Sequence, residues 1–131
     1  LQYRANVARA NYVCQDRADT QYQVKELSRC MSDPAEADGL MLKRLAQYLI
    51  DRTRVVINFD YQDQVGILDA WAETDYAGCQ DTSGGIIMIG SHMVKSWSST
   101  QANVALSSGE AESYGLVKGS SVAIGSSVLF P

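Results

Sequence analysis

Two acidic stretches carry the chemistry this chain could do. Trp71-Ala-Glu-Thr-Asp-Tyr-Ala-Gly-Cys79 reads as the end of a strand, and Ser107-Ser-Gly-Glu-Ala-Glu-Ser-Tyr114 as the start of a helix. A carboxylate at a strand end, facing one in the first turns of a helix, is half of a divalent-cation site. Oxygen ligands on rigid elements suit Mg²⁺, which takes one or two protein carboxylates and completes its shell with water and phosphate oxygens. The candidate catalytic residues and metal ligands are Glu73, Asp75 and Glu112, and the chemistry they imply is that of phosphodiesters.

Local rules separate these acids from their neighbours. Side chains alternate along a strand, so Glu73 and Asp75 share a face. If Ser107 is the helix N-cap, Glu110 is N3 and turns back toward the backbone in a capping box. Glu112 lies two residues further, about 200° around the helix, and is expected to face the sheet.

The elements that must hold these residues follow from periodicity. Tyr3 to Cys14 has helical spacing without Gly or Pro. Asp16-Arg-Ala-Asp19 resembles an N-cap for a helix whose apolar stripe is Thr20, Val24, Leu27 and Met31. Asp33-Pro34-Ala35-Glu36 predicts another start, with Leu42, Leu45 and Leu49 inward and Lys43, Arg44 and Arg52 outward. From Arg54 the period changes to that of strands. Val55-Val-Ile-Asn-Phe59 is one, Ile67 to Glu73 a second, and Gly85–Ile89 with His92–Trp97 a hairpin about Gly90-Ser91. A helix over Ser107 to about Lys118 ends the readable pattern, leaving Gly119–Pro131 unplaced.

Composition bounds what such a chain can be. With 131 residues, 46% hydrophobic and 20% charged, it can bury a core as a soluble globular protein. No apolar run approaches the roughly 18 residues of a membrane span, and no signal peptide is evident, so the expected location is intracellular. Three widely spaced cysteines, Cys14, Cys30 and Cys79, form no C-x-x-C pair and read as reduced thiols. The net charge of -4 is uneven: residues 1–54 carry nine Lys/Arg against seven Asp/Glu, and residues 55–131 carry two against eight. A nucleic-acid binder presents a basic face, and only the first half could.

Other motifs have blander readings. His92 is the single histidine, beside a hairpin turn and without a patterned Ser or Asp partner for a triad. Trp71 and Trp97 read as sheet residues rather than base-stacking platforms. Lys43, Arg44, Arg52 and Arg54 read as a solvated helix face. Gly84-Gly85 lacks the spacing of a phosphate loop.

Six motifs in order carry a resemblance. Glu73-Thr-Asp-Tyr-Ala-Gly78 resembles the D-x-D-W/F-A-G box of the ribonuclease H domain in copia-type retrotransposon polyproteins. Thr82-Ser-Gly-Gly85 is similar to the S-T-S-G that follows it, Val94–Gln101 to its S-W-S-S motif, and Val104–Tyr114 to its A-L-S-S-x-E-A-E. Upstream, Arg17–Arg29 resembles the R-P-D…L-S-R stretch ending that family's reverse transcriptase, and Leu42–Leu49 the helix after it. The resemblance covers residues 7–119.

What the resemblance implies is an α/β chain of two parts. Residues 1–53 would be a helical segment from the end of the reverse transcriptase. Residues 54–131 would be a truncated RNase H-like unit, the antiparallel three-stranded start of the sheet plus one helix. In the family, carboxylates hold two Mg²⁺ ions on the RNA strand of an RNA–DNA hybrid. The first ligand position falls on Glu73 and the second on Glu112, and the chain stops before the other two. Glu in place of Asp moves the carboxylate by more than about an ångström, a misplacement that can cost about 10²-fold in rate. Asp75 is read as a partial substitute. Ala18 replaces a Pro, Gly39 a Trp, and basic residues are missing around Gln80-Asp81. The expectation is therefore a polyprotein piece with weak or absent hybrid cleavage; the alternatives are a non-catalytic nucleic-acid-binding module or an inert remnant. Expected partners are the hybrid and the remainder of a polyprotein, with self-association through an open sheet edge, and no membrane.

Overall fold

A computed structural model describes residues 2–63, 65–76 and 81–128, which fall into two compact units, Leu1–Ile57 and Asn58–Pro131. The first unit is helical: α1 (Gln2–Val13), a 3₁₀ turn (Ala18–Thr20), α2 (Gln21–Arg29) and α3 (Glu36–Asp51). Its core is Val7, Cys14, Val24, Leu27 and Leu45, with Leu42 and Leu49 packed against it. These are the helical-period positions of the sequence, which bury one stripe per helix. Polar bonds tie α1 to α2: the Tyr3 hydroxyl donates to the Leu27 carbonyl at 3.0 Å, and Asn11 Nδ2 to Ser28 Oγ at 2.9 Å.

Two helix starts differ from expectation. Asp16 does not cap; Asp19 instead pairs with Arg17, its oxygens 2.8 and 3.0 Å from the guanidinium. The N-cap of α3 is Ala35 rather than Asp33, and its backbone N–H donates to Asp38 Oδ2 at 2.8 Å. Asp33 as N-cap would have put Glu36 at N3; the helix begins two residues later, so Asp38 takes that place.

The second unit holds a three-stranded antiparallel sheet in the order β1 (Leu68–Asp75), β2 (Thr82–Ile89), β3 (His92–Thr100), with α4 (Ser108–Ser127) packed chiefly on β1. The mixed α/β class is as expected. The β2–β3 turn is Gly90-Ser91, and Gly90 has φ of 57°, the left-handed region that glycine enters without strain. A bulge at Ile87/Met88 shifts the β2–β3 register. Ile87, on β2, is fully buried.

The strand expected at Val55–Phe59 does not form. Val55, Val56, Ile57 and Phe59 remain exposed and pair with no strand among the described residues. Strand propensity is context-dependent and needs a neighbour to pair with. What the segment contributes lies just beyond it. Gln62 brackets the hairpin turn: Nε2 donates to the Ile89 carbonyl at 2.9 Å, and Oε1 accepts from Ser91 N at 3.0 Å and Ser91 Oγ at 3.1 Å. His92 Nε2 lies 2.7 Å from the Asp60 carbonyl, and its ring meets Phe59 edge-on at 5.1 Å. His92 is thus held between backbone and aromatic ring, as a structural histidine.

The fourth helix runs nine residues past Lys118, so most of the unplaced tail is helical. Ser107 caps it, its side chain accepting from Glu110 N. No helix among the described residues is long and apolar enough to cross a membrane.

Candidate metal centre

The placement of Glu73 follows from which face of β1 the helix covers. A Cβ added at Gly115 would overlap the Thr74 hydroxyl, and one at Gly119 would come within 2.8 Å of Ala72 Cβ. Thr74 Oγ1 is also 3.4 Å from Ser83 Oγ on the adjacent strand. The residues of β1 beneath α4 are therefore Ala72 and Thr74. Alternation turns Asp69, Trp71, Glu73 and Asp75 to the opposite face, and all four are exposed.

The helix side of the pair is equally clear. The buried positions of α4 are Ala111, Gly115, Gly119 and Ser126, a stripe at helical spacing. Glu112 is one residue, about 100°, out of that stripe, and it is exposed. Glu73 and Asp75 share a face, as alternation requires, but the sheet separates that face from α4. Glu112 does not face the sheet as expected, because Ala111 takes that place. Among the described residues no three Asp, Glu, His or Cys side chains form a cluster able to hold a metal ion. The residues present do not fit the Mg²⁺ pair that the resemblance implies. Ala77, Gly78, Cys79 and Gln80, which close the first acidic motif, lie outside the described residues.

Where the resemblance would place a cation between strand and helix, the structure has a neutral polar bracket. Gln101 Nε2 donates to Ser83 Oγ at 2.8 Å and to the Ala111 carbonyl at 2.9 Å, and lies 3.5 Å from Thr74 Oγ1. It joins all three parts of the seam: β1, β2 and the first turn of α4. Asp81, fully buried, accepts the Ala105 N–H at 3.3 Å, while its carbonyl accepts from Gln101 N at 2.9 Å. Sequence patterning missed both roles. Asp81 precedes β2 and Gln101 follows β3, 20 residues apart, so no local pattern signals the pair.

Glu110 is the structural acid that its N3 position predicts. Its carboxylate accepts the Leu106 N–H at 2.8 Å and the Tyr114 hydroxyl at 2.8 Å. The first bond above all, then the second, holds its pKa below the usual carboxylate value. Trp97 spans Gly85 across the β2–β3 pair, a sheet role, while Trp71 is 65% exposed.

No family model matches the chain, and no solved structure matches it. Two curated proteins do. The retrovirus-related Pol polyprotein from transposon RE1 of Arabidopsis thaliana is 36% identical over 116 residues, 85% of this chain and 8% of that polyprotein. Its counterpart from transposon RE2 of the same plant is 35% identical over 116 residues, with the same coverage. The chain thus spans less than a tenth of the length of the relatives it matches.

Proposed function

We propose that this chain, a segment of a copia-like retrotransposon Pol polyprotein, carries the junction between the end of a reverse transcriptase and the start of an RNase H-like unit without performing that unit's reaction. The inherited reaction is Mg²⁺-dependent hydrolysis of RNA in an RNA–DNA hybrid. In a two-metal site the ions stabilise the attacking water and the leaving oxygen.

The observation that carries the proposal is the position of Thr74 under α4. It sends Glu73 and Asp75 to the far face of the sheet. Carboxylate clusters must be held to within about half an ångström, and a strand residue on the wrong face misses by far more. The bracket of Gln101, Thr74 and Ser83 ties the seam with neutral hydrogen bonds from Gln101 Nε2 instead, while Gln101 Oε1 is buried without a partner among the described residues. Such a seam holds the helix on the sheet through neutral groups, without a carboxylate from Glu73, Asp75 or Glu112.

The test is hydrolysis of a labelled RNA–DNA hybrid by the 131-residue chain in Mg²⁺. The expected result is no cleavage above background, with Glu112→Ala indistinguishable. Mg²⁺-dependent cleavage that Glu112→Ala abolishes would overturn the proposal.

A further inference from the structure

From Gly119 on, helix α4 is apolar or small on both of its long faces. Its buried stripe meets the sheet, while Leu116, Val117, Ile124 and Val128 on the other side are 66%, 70%, 68% and 77% exposed. A helix that is apolar all round is normally covered all round. Leu116, Val117, Ser120, Ser121 and Ile124 line a shallow hollow, in which two serines lie between larger side chains. Val117, Ser121, Ile124 and Val128 recur at four, three and four residues, the spacing of a helix–helix seam.

We propose that this outer face of α4 is a self-association surface whose occupant is α4 of a second copy, packed antiparallel across a two-fold axis. Charge selects this surface over the β1 edge of the sheet. From Gly119 to Val128 the helix carries no charged residue, so two copies that are each net -4 meet there without like charges in contact. The free edge of β1 exposes Asp69, Glu73 and Asp75, and antiparallel pairing of two such edges about their middle would set acids against acids, which is destabilising. Area makes the contact a weak, transient one: the four apolar side chains expose on the order of 450 Å² per copy, hence at most about 900 Å² for a pair, below the ~1,000 Å² that a stable specific interface clears. An isologous contact also requires a self-complementary patch, and large side chains alternating with serines across one hollow provide that. The inference is independent of whether the chain cleaves RNA.

Sedimentation equilibrium of the full chain, from micromolar to sub-millimolar concentration, tests it. The 14.3 kDa chain is expected to approach twice that mass. Val117→Glu and Ile124→Glu should each weaken the dimer at least tenfold with unchanged circular dichroism, since both positions are exposed. Asp69→Lys should leave it unchanged, whereas association through the β1 edge would be strengthened by that substitution. If a Glu variant lost helicity, Ile124→Ser would be read in its place. A chain monomeric throughout, a dimer indifferent to the helix variants, or one tightened by Asp69→Lys would overturn the proposal.

Discussion

Arg17 and Asp19 join two ends of the helical unit through single atoms. Asp19 accepts two bonds from the Arg17 guanidinium and a third, at 2.8 Å, from the Tyr48 hydroxyl on α3. Arg17 Nη1 donates at 2.9 Å to the carbonyl of Arg52, which closes the C-terminus of α3. The Arg17 bond first, with help from Tyr48, lowers the Asp19 pKa to about 2. A carboxylate depressed in the folded state contributes stability above its unfolded pKa, about 3.9, and loses it as pH falls through the folded value. Urea unfolding followed by circular dichroism should therefore show stability declining between about pH 4 and pH 2. Asp19→Asn should lose about 1–2 kcal/mol at pH 7, because the partly exposed pair is worth less than a buried one, and should show a shallower acid decline. Capping at Ser107 and Glu110 was legible in sequence because donor and acceptor lie within one turn. Gln62, Asp81 and Gln101 were not, because their partners sit 10 to 29 residues away and no local pattern encodes such a distance.

At the scale of elements, the glycines of α4 set how closely it approaches the sheet. Gly119 leaves no room for a methyl group above Ala72, whose own Cβ cannot rotate away, whereas Gly125 faces open space. Replacing an interior helical glycine by alanine gains up to about 1 kcal/mol where nothing obstructs it, and overpacking costs about 1–3 kcal/mol. Gly125→Ala should accordingly raise the urea midpoint and Gly119→Ala should lower it. Equal shifts of the same sign would show that helix propensity, not contact with β1, decides both. Helices α1 to α3 and the Gly90-Ser91 hairpin were readable because their signals are periodicity and turn chemistry. The length of α4 was hidden by its glycines and serines, poor helix formers that are retained where close packing requires small side chains. Val55–Phe59 misled for the opposite reason: its composition favours a strand, but strands need partners that composition does not supply.

At the scale of the whole molecule, the acidic excess of residues 55–131 and the open acidic face of β1 oppose contact with a polyanion. Binding to phosphates draws on Lys and Arg and releases counterions, so affinity falls steeply with salt. Fluorescence anisotropy of a labelled RNA–DNA hybrid should show weak binding even at low ionic strength. Any binding that does occur should weaken on replacing Lys43 and Arg44, both exposed on α3. Tight binding unaffected by those changes would place the contact elsewhere. The candidate site was legible as a pair of motifs but not as an arrangement. Sequence order brings Glu73 to a strand and Glu112 to a helix, while the face each presents depends on how α4 seats on β1, and Thr74, Gly115 and Gly119 decide that.

The most direct test of that seating is a titration with Mn²⁺, a paramagnetic stand-in for Mg²⁺, observed through the backbone amide resonances of the isotope-labelled chain. Separate carboxylates on opposite faces predict only weak, non-saturating broadening, with Glu73 and Glu112 affected independently. Saturable broadening of both at the same low Mn²⁺ concentration, lost together in Glu112→Gln, would show one cation held between strand and helix and would contradict the account.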